Sequence, residues 1–122
     1  MPFTITVHHS REHLVVAGSG PALLADLCGY MDLVGGIASR EGYHRAVLDL
    51  SGVEIALSFT DHLQLGAHAA DRLRNLERVA SVVPEKYRTG SSEKAAQKSG
   101  LHLRTFTDLA EGLAWVAESG TP

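Results

Sequence analysis

Seven histidines, a single cysteine and a helical row of acidic and imidazole side chains are the groups in this 122-residue chain that could catalyse a reaction or hold a metal. His8 and His9 are adjacent on an expected strand, so their side chains point to opposite faces and cannot chelate one ion together. His62 and His68 are expected on one helix but off a shared face, and no His-Glu-x-x-His occurs. His13, His44 and His102 fall near strand starts. Solvated surface histidines are the simpler account, and no metal site is expected. Asp61, Gln64, His68 and Asp71 recur at intervals of three and four, which puts an orienting Asp and a basic His on one helix face. No nucleophile joins them, because Cys28 falls on an apolar helix face where a thiol is buried and inert. The wet side of an amphipathic helix explains the row, so no catalytic residue and no cofactor is assigned. Gly18-Ser19-Gly20 lacks the rest of a Gly-x-Gly-x-x-Gly and is read as a tight turn.

The elements that position these groups follow from hydrophobic periodicity. Phe3, Ile5 and Val7 alternate with polar residues, and His13 to Ala17 forms a second strand after the polar turn Ser10 to Glu12. So short a connection makes an antiparallel hairpin. Gly18-Ser19-Gly20-Pro21 is expected to break the strand and start a long helix, with Pro21 in its first turn. Leu24, Leu27, Cys28, Met31, Val34, Gly35 and Ala38 form its inner face. A second stripe of Leu23, Tyr30, Leu33 and Ile37 lies beside it, more apolar surface than one sheet face requires. That stripe is a candidate surface for a second subunit or for a lipophilic ligand, against the plainer alternative of cover by the hairpin or the last helix.

Ala46 to Leu50 reads as a central strand ended by Ser51-Gly52, with Val53 to Leu57 irregular. A helix then begins near Ser58, which caps it with Asp61 as the reciprocal partner, and carries Leu63, Gly66, Ala70 and Leu73 inward. Arg78 to Val83 is a strand stopped by Pro84, Glu85 to Ser92 a loop, and Glu93 to Ser99 a helix closed by Gly100. Leu101 to Phe106 is the last strand. A final helix capped by Thr107 or Asp108 presents Leu109, Leu113 and Val116, with Trp115 to the side. The order predicts an α/β fold, a mixed and mostly parallel five-stranded sheet with an N-terminal hairpin and about four helices. Residues 1–118 are read as one domain and 119–122 as a frayed tail.

Composition narrows the functional classes. Eleven basic against fourteen acidic residues give a net charge of −3, which argues against a nucleic-acid binder. One cysteine rules out an internal disulfide framework and fits a cytoplasmic protein, and no apolar run is long enough for a membrane span. The charge is uneven: residues 72 to 104 carry eight basic and three acidic side chains, a surface for an acidic partner if they gather on one side.

Val47-Leu48-Asp49-Leu50-Ser51-Gly52-Val53 with a helix near Ser58, the opening Ile5-Thr6-Val7, Arg78 to Pro84, and Arg104-Thr105-Phe106 with Ala114-Trp115-Val116 resemble the STAS domain. Within it they are most similar to the SpoIIAA-like group of anti-sigma-factor antagonists, over almost the whole chain. The resemblance implies a bacterial, cytoplasmic, non-enzymatic homodimer that binds a lipophilic small molecule or a protein partner. For true antagonists it also implies a phosphorylated serine in an Asp-Ser-Ser-Gly turn. Ser58 falls on that serine, while Leu57, Phe59 and Thr60 replace its three neighbours. Two alternatives stand beside the binding domain: a phosphorylation-switched antagonist using Ser58, and a small enzyme with an unrecognised site.

Overall fold

The computed structural model describes residues 2–87 and 91–118. The chain runs β1 (Thr4–His9), β2 (Leu14–Ala22), α1 (Leu24–Glu41), β3 (Arg45–Ile55), α2 (Phe59–Leu73), β4 (Arg78–Val82), α3 (Ser91–Lys98), β5 (Leu103–Phe106) and α4 (Leu109–Ala117), with a single 3-10 turn at Glu85–Tyr87. The five strands lie side by side in chain order, β1 antiparallel to β2 and the remaining pairs parallel. This is the expected α/β sheet with its N-terminal hairpin. The expected tail at 119–122, and Arg88 and Gly90 of the expected loop, lie outside the described residues.

Two strands outrun the sequence reading. β2 continues through Gly18-Ser19-Gly20-Pro21 to Ala22, and β3 continues through Ser51-Gly52 to Ile55, because each supplies the other's hydrogen-bond partner. A bulge absorbs the irregularity: Leu50 and Ser51 oppose the single residue Gly18, and pairing resumes from Ser19 with Gly52. Asp49 braces it by accepting from the Ser51 amide at 3.2 Å and the Ser51 hydroxyl at 2.6 Å. Gly20 has φ of 100°, and a Cβ there would stand 2.6 Å from the Pro2 carbonyl oxygen. Pro21 is tolerated because β1 begins opposite Ser19, leaving this end of β2 paired on one side only. The helix therefore starts after Leu23, whose amide donates to Asp26 Oδ2 at 2.9 Å, and Pro21 stays outside it.

Three parallel crossovers between neighbouring strands place α1, α2 and α3 on one face. Leu14, Val16, Leu48 and Val79 of the sheet are buried there together with Leu27, Val34, Leu65, Leu73 and Ala96 of the helices. The opposite face buries Val47, Ala80 and Val82 under Trp115 and Val116 of α4. Trp115 is only 6% exposed, so it belongs to the buried side of α4 and not beside it, while Leu109 and Leu113 are half-buried. On α2 the inward residues are Leu65, Gly66, Ala69, Ala70 and Leu73, and Leu63 faces solvent.

Among the described basic residues after position 71, Arg78 and Arg104 meet at the Trp115 ring while Arg72 lies across the sheet from them. Arg78 is buried under α4, where Nη1 donates to the Trp115 carbonyl at 2.7 Å and the guanidinium lies 5.0 Å from the Trp115 ring centroid. Arg45, its register partner on β3, donates to the carbonyls of Val116 and Glu118. Together they satisfy backbone acceptors left over at the C-terminus of α4, where positive charge also suits the helix dipole. Arg72 sits on the other face beside Asp32, at 3.0 Å.

Candidate binding site

A pocket opens on the three-helix face near the carboxyl ends of β3, β4 and β5, the region where open α/β sheets place ligands. Its apolar walls include Leu27 and Met31 of α1, Leu65 and Ala69 of α2, and Ala96 of α3. Leu50, Val83 and Leu103 extend that lining from the sheet side. Polar side chains join at five places: His62, Ser81, Tyr87, Glu93 and Thr105. The cavity measures about 70 Å³. A cavity of about 150 Å³ accepts benzene, so this one holds roughly three carbons.

Glu93 is fixed by accepting a hydrogen bond from the Thr105 amide, which joins α3 to β5. Burial pushes the His62 imidazole below its ordinary pKa, partly opposed by the Asp61 carboxylate, so the ring is neutral at pH 7. The lining thus carries Glu93 as its one formal charge among the described residues. A small apolar space with a few placed polar groups is the general form of a small-molecule site.

Ser58 ends the segment next to Leu57, another lining residue, and caps α2. Its hydroxyl accepts from the Asp61 amide at 3.1 Å and its amide donates to Asp61 Oδ2 at 3.2 Å, the reciprocal pair read from the sequence. The position is exposed, and Phe59 beside it is 68% exposed. Leu63, one turn on, is 40% exposed.

The second stripe on α1 divides. Tyr30 is fully buried: its hydroxyl donates to the Val16 carbonyl at 2.6 Å and its ring meets Phe3 edge-on at 6.3 Å. Ile37 is also buried, so these two side chains belong to the chain's own core, Tyr30 under the hairpin. Leu23 and Leu33 remain outside, 63% and 39% exposed. Burial, with a smaller contribution from Asp49, holds the Tyr30 phenol well above its usual pKa.

The remaining chemical candidates find structural partners. His68 bonds Asp32 of α1 at 2.8 Å, not an acidic residue of its own helix, and Arg72 shares the same carboxylate oxygen. His9 bonds the Tyr43 hydroxyl at 2.8 Å, and His102 packs edge-on against Trp115. Cys28 is half-buried, and burial and Asp32 raise its pKa, which disfavours the nucleophilic thiolate. Among the described residues no three His, Cys, Asp or Glu side chains converge as a metal site, and no helix is long and apolar enough to cross a membrane.

The pocket escaped the sequence reading because its walls come from six separated elements. Leu27 and Met31 were legible as inward residues of α1, yet their spacing says only that they face inward. His62 carried the one local signal, a titratable ring one turn into a helix and near the apolar Leu57, but that pattern also describes an ordinary half-buried histidine.

No protein-family model and no curated protein matches the sequence. Solved structures do. An anti-sigma factor antagonist from Mycobacterium paratuberculosis superposes with a TM-score of 0.67 at 18% identity, covering 96% of both chains. An uncharacterized DUF3478-family protein with a SpoIIAA-like fold from Shewanella loihica gives 0.57 at 18% identity, over 94% of this chain and 93% of that one. The anti-sigma factor antagonist SpoIIAA in its unphosphorylated form gives 0.56 at 13% identity, over 97% and 100%. The order of strands and helices and these three superpositions give this chain a SpoIIAA-like fold.

Proposed function

We propose that the chain is a non-catalytic binding domain that takes an apolar group into the pocket between α1, α2 and α3. The observation that carries the reading is the cavity of about 70 Å³, apolar over most of its wall and open at one side. Its size suits the short aliphatic end of a lipophilic molecule, or one apolar side chain of a protein partner. Leu23 and Leu33 are the part of the α1 stripe left for a second copy of the chain, and the proposal includes a homodimer through them. The cytoplasm is its proposed compartment.

Native mass spectrometry after gentle purification is the test, followed by thermal shift with butan-1-ol, butylamine and butanoate. A retained small-molecule adduct, or a rise in Tm with at least one compound, is expected. A bare mass together with no shift from any of them sinks the reading. For the dimer, sedimentation of wild type against Leu33→Asp is decisive, and a wild type that sediments as a monomer at high concentration refutes it.

A second reading has one observation in its favour. Ser58 is exposed at the N-terminus of α2, where free amides and the helix dipole favour a phosphate, and two structural neighbours are anti-sigma factor antagonists. Against it, three of the four residues around the serine differ from the antagonist turn. Incubation with anti-sigma kinases and ATP, read by intact mass, separates the two: stoichiometric phosphate on Ser58 supports the switch, and an unmodified protein supports the binding domain.

A further inference from the structure

Resting on the reading of this pocket as a binding site, we infer that it selects a short aliphatic molecule whose head group donates a hydrogen bond, an alcohol or a primary amine, and discriminates against the carboxylic acid of the same length. Three features of the lining carry this. The walls are built from Leu27, Met31, Leu65 and Ala69, which offer dispersion contacts and no hydrogen bond, so the alkyl part of the ligand fills that region. Glu93 is the lining's one formal charge among the described residues, and its bond from the Thr105 amide holds the carboxylate in place from strand β5. No lysine or arginine among the described lining residues stands ready to neutralise an entering anion.

A hydroxyl or ammonium group entering beside Glu93 donates a hydrogen bond to a carboxylate oxygen, a bond strengthened by charge. A carboxylate entering there faces a second negative charge in a partly dry space, where like charges a few ångströms apart repel far more than in water. His62 does not rescue the anion, since burial keeps its imidazole neutral at pH 7 and able to offer at most one neutral N–H. Tyr87, Ser81 and Thr105 are compatible with either head group and do not discriminate. The length of the alkyl part follows from the volume: about three carbons fill about 70 Å³, and the rest of a longer chain extends toward solvent.

The experiment is an amide-resolved NMR titration of the full chain at pH 7.0 with butan-1-ol, butylamine and butanoate, on wild type and Glu93→Gln. The inference expects the alcohol and the amine to shift amides of Leu65, Ala69 and Ala96, with butanoate at least tenfold weaker. In Glu93→Gln the acid gains at least tenfold, while the amine weakens most and the alcohol, which keeps a neutral acceptor, weakens less. Butanoate binding wild type as tightly as butan-1-ol overturns the selectivity and leaves the pocket standing as a site. No shift at these amides with any of the three overturns the pocket and the inference together. Because Glu93→Gln could loosen the bond from the Thr105 amide and with it α3, Glu93→Asp, which keeps the charge but shortens the reach to that amide, serves as the control. It should retain the discrimination, and losing it there with an intact spectrum also refutes the charge argument.

Discussion

Two adjacent glycines on α1 should respond to the same substitution with opposite tendencies. A Cβ added to Gly35 would stand 2.6 Å from the Arg72 carbonyl oxygen, a backbone atom of α2 that cannot swing away. A Cβ added to Gly36 meets nothing within 4 Å. Replacing glycine by alanine in a helix interior gains about 1 kcal/mol through backbone entropy, and that gain is common to both sites. The forced separation of α1 from α2 at position 35 costs about 1–3 kcal/mol, as overpacking of a closed contact does. Gly36→Ala should therefore be stabilised by up to about 1 kcal/mol, and Gly35→Ala should lie about 1–3 kcal/mol below it. The difference isolates the clash because the propensity gain cancels. Urea unfolding followed by circular dichroism measures it, provided the two variants share one m-value. Unfolding free energies for the two that agree within about 0.5 kcal/mol would refute the close approach of α1 and α2 at Gly35.

Three further outcomes follow from named contacts. Arg78→Met removes the charged donor to the Trp115 carbonyl, which keeps only the Glu118 amide at 3.3 Å, and should cost about 2 kcal/mol, with Trp115 emission shifting to the red before the remainder of the chain unfolds. An unchanged urea midpoint contradicts the clamp on α4. Ser58→Ala should cost about 1 kcal/mol by removing the acceptor for the Asp61 amide, whereas Ser58→Asp keeps a good cap and should stay within about 0.5 kcal/mol of wild type; equal losses for both would contradict the cap. His62, whose folded pKa lies below 6.5, contributes stability that is fully present above pH 6.5 and is lost as the pH falls through the folded value. Comparing urea unfolding at pH 7.5 and 5.0 in wild type and His62→Gln checks this, and the variant should lose less stability on acidification. A variant that loses as much as wild type removes the role of burial at that ring.

The alternation of strands and helices was legible because each element carries its own period, and the capping pair of Ser58 and Asp61 was legible because a cap is a local interaction. What stayed hidden depends on neighbours distant in sequence. Gly18 to Pro21 contains the residues that usually interrupt a strand, and only the partner stretch Gly52 to Ile55 explains why the strand persists. Trp115 seemed peripheral on its own helix, yet Arg78 and the sheet enclose it. The α1 stripe is broad in the sequence, but periodicity does not say that Tyr30 reaches back to Val16 under the hairpin. The pocket is the extreme case, since its volume exists only between six elements and leaves no trace in any one of them.

The most direct test of the binding account fills the cavity. Ala69 is buried in its wall, and Ala69→Leu adds three carbons to a space that holds about three. The quantity to measure is the Tm rise produced by saturating butan-1-ol in wild type and in the variant. The account predicts a clear rise in wild type and none in Ala69→Leu, whose own Tm stays at or above that of wild type. The same ligand-induced rise in both proteins would place binding elsewhere and contradict the account.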